Sequence, residues 1–183
     1  MNAIYSSNNK IKQITNSGEV IFRDIDLAVT WRMTNKNTLY TTIKRYAKQG
    51  LLERVKQGIY SIKSVDDLNP DAIGAKILHE YCYISAETVL ERSGILKQRI
   101  QNITFVSSSS KKFSAGAHLF SSRQMKDDFL YNSIGIYARD GINYAEVERA
   151  VADLLYFNPK YYFDANAKIK WRKVKKIQKI IGY

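Results

Sequence analysis

"TNKNTLYTTIKRYAKQGLLERVKQGIYSI", residues 34–62, is the stretch whose reading decides the fold. Its first half predicts a helix. Thr34 or Asn35 can cap the start, and Gly50 can end it in the left-handed conformation. Leu39, Ile43, Tyr46 and Ala47 recur at helical spacing and predict one buried stripe. At roughly 100° per residue, Asn37, Thr38, Thr41, Lys44, Arg45 and Lys48 fall on the opposite face. The second half predicts a hairpin with strands at 52–55 and 59–62. Gly58 supplies the positive φ of the turn at Lys56-Gln57-Gly58. Arg54, Lys56 and Gln57 crowd that turn.

Upstream, Ile4, Ile11 and Ile14 predict a helix over 3–16 that stops at Gly18. "EVIFRDIDLAV" starts as a short apolar run and continues into a second short helix around 23–30. Helix, helix, longer helix and hairpin is the order of a winged helix-turn-helix. An α-helix fits the major groove of DNA, where base edges are distinguishable. Asn37, Thr38 and Thr41 are therefore expected at bases, and Lys44, Arg45 and Lys48 at phosphates or guanines. Arg54, Lys56 and Gln57 are expected along the neighbouring backbone. The plain alternative is a solvated basic face on a structural domain. Helix order, hairpin position, polar face and charge together favour double-stranded DNA.

The charge is unevenly placed along the 183 residues, whose formal net charge is +12. Residues 1–63 hold 11 Lys/Arg and 4 Asp/Glu, a net +7. Residues 165–183 hold 7 and none, again a net +7, whereas the middle is close to neutral. Such a balance favours polyanions: nucleic acid first, then an acidic partner or a membrane surface. Cys82 is the sole cysteine, so no internal disulfide forms, as expected in a reducing cytosol. The N-terminal residues lack an apolar signal core, and no run approaches the roughly 20 apolar residues that span a bilayer. The expectation is a soluble, cytoplasmic protein without a membrane partner.

"KSVDDLNPD", residues 63–71, is the linker candidate, giving domains 1–63 and 64–183. The second domain is expected to be mixed α/β, so the fold class is α+β. A helix is predicted at 71–80, then an extended "YCYIS". Ser85 should cap a helix over 86–93, with Glu87 in its first turn. Residues 103–107 read as a strand, 107–110 as a polar loop, and 113–121 and 129–138 as strand-rich. Asp140-Gly141 signals a hairpin turn. Asn143 and Glu146 have capping-box spacing and should open a helix to about 157, with Val147, Ala150, Val151, Leu154 and Leu155 buried. A final helix at 167–181 should turn Lys168, Arg172, Lys175, Lys176 and Lys179 outward as candidate polyanion or partner contacts. Trp171, Val174, Ile177 and Ile181 occupy its other side.

At these residues the chain resembles a known family. Gly50-Leu51-Leu52 followed by an R-x-x-x-G-x-Y hairpin at 54–60 looks like the winged helix of AbiEi-type antitoxins, which belong to type IV toxin–antitoxin systems of abortive infection. "YISAETVLERSGI" (83–95), "ITFVS" (103–107) and "AEVERAVADLLY" (145–156) continue the likeness, in order, over most of 20–160. Ala145-Glu146-Val147 departs from the family's Pro-Glu approach to that last helix. The resemblance implies an N-terminal domain that binds an inverted repeat in its own promoter and represses the operon. It also implies a C-terminal domain that counteracts a nucleotidyltransferase-class toxin, with or without a stable complex.

Other readings are a winged-helix regulator or interaction module without a toxin partner, and an RNA-binding factor using the terminal basic helix. An enzyme is least favoured. His79, Cys82 and His118 show no catalytic or zinc signature, and no phosphate-loop motif occurs, so no cofactor or metal is expected. Glu146, Glu148 and Asp153 read as a cap and two solvated or paired acids. The Ser107–Ser110 run before Lys111-Lys112 could hold phosphate, but a flexible loop is the favoured account.

Overall fold

The structure is a computed structural model that describes residues 10–183. The chain is a mixed α+β protein, divided between residues 77 and 78 into two compact units. The sequence places that division at 63/64. Segment 63–71 instead carries a 3-10 turn at Val65–Asp67, buries Leu68, and runs into α4 (Pro70–Leu78), whose Ile73 is closed to solvent. Apolar anchors at Leu68 and Ile73 thus assign this segment to the first unit.

In the first unit, residues 10–15 are helical (α1), residue 16 already belongs to the following turn, and residues 3–9 of the helix expected over 3–16 lie outside the described residues. Next come β1 (Ile21–Arg23), α2 (Asp24–Thr30), α3 (Lys36–Lys48), β2 (Glu53–Lys56) and β3 (Ile59–Ser61). Both strand pairs are antiparallel, in the order β1-β3-β2. Ile14, Phe22, Leu27, Trp31, Leu39, Ile43, Tyr46, Leu52 and Tyr60 form one core. Trp31 meets the Tyr46 ring edge-on at 5.5 Å. Burial of several large apolar groups at about 1.5–3 kcal/mol each holds α3 in place.

Local signals set the ends of α3. Asn35 accepts from the Thr38 amide at 3.0 Å, and Gly50 takes φ +70 after the last turn. Ala47, expected in the buried stripe, is exposed, and Thr42 is buried instead. The Thr42 hydroxyl donates to the Thr38 carbonyl at 2.8 Å, which removes the cost of burying it.

The second unit contains a six-stranded sheet in the order β6-β7-β5-β4-β9-β8. Its strands are β4 (Cys82–Ile84), β5 (Asn102–Ser107), β6 (Lys111–Ala115), β7 (His118–Gln124), β8 (Ile136–Arg139) and β9 (Ile142–Ala145). Pairs β4–β9 and β5–β7 are parallel, and the other three are antiparallel. Its helices are α5 (Ala86–Arg92), α6 (Asp127–Leu130), α7 (Val147–Phe157) and α8 (Trp171–Ile181), and α5 and α8 both pack on α7.

Of the strand-rich 129–138, only 136–138 are strand, and residues 127–130 form a helical turn. Asp127 and Asp128 at its start favour helix over strand. Asn143 does not cap α7, because it pairs with Ala138 inside the β8–β9 hairpin, and Glu146 occupies the cap position. Val147 and Leu155 are only partly buried. Ser85 stands before α5, but its hydroxyl donates to Asp153 at 2.7 Å rather than capping the helix. Lys168 lies in a 3-10 turn ahead of α8 and so leaves the helical stripe.

Of the two options expected for Glu148 and Asp153, the structure takes the paired one: both are buried, Glu148 against Lys173 and Asp153 against Arg149. Asp153 joins the fully buried Arg149 in a network that ties α7 to β4 and to Tyr183. Among the described residues, no helix is long and apolar enough to cross a membrane.

Candidate nucleic-acid interface

All six polar residues predicted on the outer side of α3 are exposed: Asn37, Thr38, Thr41, Lys44, Arg45 and Lys48. Helical geometry confines them to a sector of about 120°. Arg45 stacks over the Tyr46 ring at 5.3 Å, which restrains its stem. Sequence reasoning missed Lys36, at the start of α3, and Arg32, in the turn before it. Both are exposed. Their signal was available, since any cation near a helix start widens the basic footprint, but neither lies on the periodic face.

Beyond the shared core, Asp24 ties the hairpin turn to this helix. The Asp24 amide donates to the Gly58 carbonyl at 2.9 Å, and the Tyr40 hydroxyl donates to the Asp24 carboxylate at 2.8 Å. Asp24 therefore links the start of α2, the outer edge of α3 and the hairpin turn. Gly58 has φ +76, as its turn position requires. In β2, Arg54 pairs with Tyr60 and Lys56 with Ile59, so Val55 is the extra residue of a bulge. Such a bulge bends and twists the ribbon. Val55 is buried, while Arg54 and Gln57 are exposed at the tip. Lys56 is half-buried and so presents less of itself than its position predicts. Glu53, also exposed, places one acid on the same ribbon.

On α8, Arg172, Lys175, Lys176 and Lys179 are exposed, while Val174, Ile177 and Ile181 are buried. Lys173 is committed elsewhere. It pairs with Glu146 at 2.6 Å and Glu148 at 3.1 Å, and these hydrogen bonds raise its proton affinity. The stripe is thus four cations on one helix, without Lys168.

The polar run after β5 is not a free loop. Ser107, Ser108 and Ser109 turn their hydroxyls onto Glu80, and Lys111 approaches it at 3.4 Å. Burial raises the Glu80 carboxyl, yet the three hydroxyls and the Lys111 charge bring it down to about 2. Burial pushes the Cys82 thiol up to about 12, with Glu80 adding to the effect, so it stays protonated. Among the described residues, no group of three or more His, Cys, Asp or Glu is placed to hold a metal ion.

Fold and surface together define a mixed α+β protein with a cationic, hydrogen-bonding helix face in one unit and a cationic helix stripe in the other. No protein-family model and no curated protein matches the chain.

Proposed function

We propose that the first unit is a winged helix-turn-helix and that the chain is a DNA-binding antitoxin. It represses its own operon and counteracts a nucleotidyltransferase-class toxin. The outward face of α3 carries the DNA reading. Hydrogen-bonding Asn37, Thr38 and Thr41 share one exposed sector with Lys44, Arg45 and Lys48. In this reading α3 enters the major groove, Asn37, Thr38 and Thr41 meet base edges, and the lysines neutralise phosphates. The β2–β3 hairpin is the wing, and Arg54 and Gln57 lie along the adjacent backbone. The target is double-stranded operator DNA, expected as an inverted repeat. The four cations of α8 supply a further polyanion or partner contact.

The toxin half rests on the resemblance of residues 50–60, 83–95, 103–107 and 145–156 to AbiEi-type antitoxins. A plain regulator shares the DNA chemistry and lacks the toxin partner.

Two experiments test the two halves. Neutralising about six phosphates gives a log–log salt slope near −5 for binding to DNA upstream of its own operon, and a flat response would sink the DNA half. Growth arrest by an adjacent nucleotidyltransferase-like gene, relieved on co-expression of this chain, supports the antitoxin half. Arrest that persists leaves the regulator.

A further inference from the structure

We propose that a groove on the sheet of the second unit is a binding site for a terminal phosphate, carried by a ligand of mononucleotide size. The groove is open to solvent and offers about 840 Å³ beside β5, β6 and β7. That volume falls within the roughly 300–1,000 Å³ of small-molecule sites. Lys112, Ser121 and Thr104 are direct neighbours across three strands and share one face. The Thr104 and Ser121 hydroxyl oxygens lie 3.3 Å apart, giving a hydroxyl floor beneath the lysine.

Arg123 lines the same groove on β7 and is held from two sides. One of its terminal nitrogens donates to Glu87, and its guanidinium lies 5.4 Å from the centre of the Phe157 ring. Its other guanidinium donors meet no acceptor among the described residues. Arg99 is exposed on the facing segment and likewise has no acceptor there. Arg99, Lys112 and Arg123 thus face one carboxylate, Glu87, while the Lys111 ammonium turns to Glu80.

A fixed guanidinium with unused donors, free lysine charge and two hydroxyls matches the oxygens of a dianionic phosphate. Among the described residues no aromatic ring lines the groove, so they offer no platform on which a nucleobase would stack. Recognition falls on the phosphate rather than on the base. Glu87 opposes it. Among the described residues one Glu87 oxygen is buried without a hydrogen-bond partner, so its charge is only partly offset by Arg123.

Titration calorimetry of the full chain tests the site with adenosine 5′-monophosphate, inorganic phosphate and adenosine. The monophosphate should bind saturably, phosphate should compete, and adenosine should give no binding heat. Lys112→Ala and Arg99→Ala, both at exposed positions, should each weaken the monophosphate about tenfold with an unchanged melting temperature. Glu87→Gln should tighten it several-fold, by removing the opposing charge, where a merely structural carboxylate would weaken it. A short 5′-phosphorylated ribonucleotide distinguishes the source. If it binds more tightly than the monophosphate, the phosphate belongs to an RNA end. If it does not, the ligand is a free nucleotide. Equal affinity for adenosine and its monophosphate, no saturable heat, or unchanged affinity in both alanine variants overturns the site.

Discussion

Arg149 and Asp153 stand one turn apart on α7, with Nε 2.8 Å from Oδ1, and neither side chain reaches solvent. Every guanidinium donor is used: beyond Asp153, they reach the Tyr83 hydroxyl and the carbonyls of Phe129, Asn132 and Ile134. Asp153 also accepts from Ser85 and Tyr183. Full burial pushes the Asp153 carboxyl up, while Arg149 and the hydroxyl donors oppose it. Removing one partner strands the other charge in a dry interior. Asp153→Ala or Arg149→Ala should therefore cost about 3–5 kcal/mol of stability in urea unfolding. The pair Arg149→Met with Asp153→Leu should lose less than either single change, because no charge is left behind. Additive losses would contradict this account.

Gly135 sits under that network at φ +69. A Cβ there would lie 2.9 Å from the Arg149 Cβ and 3.4 Å from the Ile177 side chain. Gly135→Ala should destabilise the protein by about 1–3 kcal/mol, from strain and from displacement of Arg149. An unchanged urea midpoint would show that Arg149 has room to move.

Glu80 makes stability depend on pH in the acid range. Its proton affinity is lowered on folding, from an ordinary 4.5 to about 2. A lowered carboxyl favours the folded state fully above pH 4.5, and that contribution fades as pH falls toward 2. Wild type should lose stability across this window. Glu80→Gln should be weaker at pH 7 by on the order of 1 kcal/mol and should show a flatter decline, read from melting temperatures at stepped pH. Parallel curves for the two proteins would remove Glu80 as the cause.

The first unit was legible where local chemistry decides. Asn35, Gly50 and Gly58 carry their own conformational signals, and the exposed face of α3 follows from a period of 3.6. Ala47 and Thr42 exchanged roles because a threonine that bonds its own helix carbonyl fits a buried site as well as an alanine. The second unit was less legible. Its sheet sets β9 beside β4 and β7 beside β5, pairings between distant segments that no local pattern specifies. Asn143 has the spacing of a cap, but the hairpin claimed it first. No local pattern announces that Arg149, on α7, turns all its donors inward. Arg99, Lys112 and Arg123 come from three separate segments, so the groove they share is invisible until the strands are paired.

The central claim is that α3 reads sequence while the hairpin tip only positions the protein on the backbone. Affinities for the operator and for random duplex DNA at one fixed salt concentration test it most directly. Asn37→Ala or Thr41→Ala should lower the operator-to-random ratio, by about 1–3 kcal/mol where the contact is bidentate, and Arg54→Ala should weaken both DNAs equally. Equal losses on both DNAs for all three variants would contradict base reading by α3.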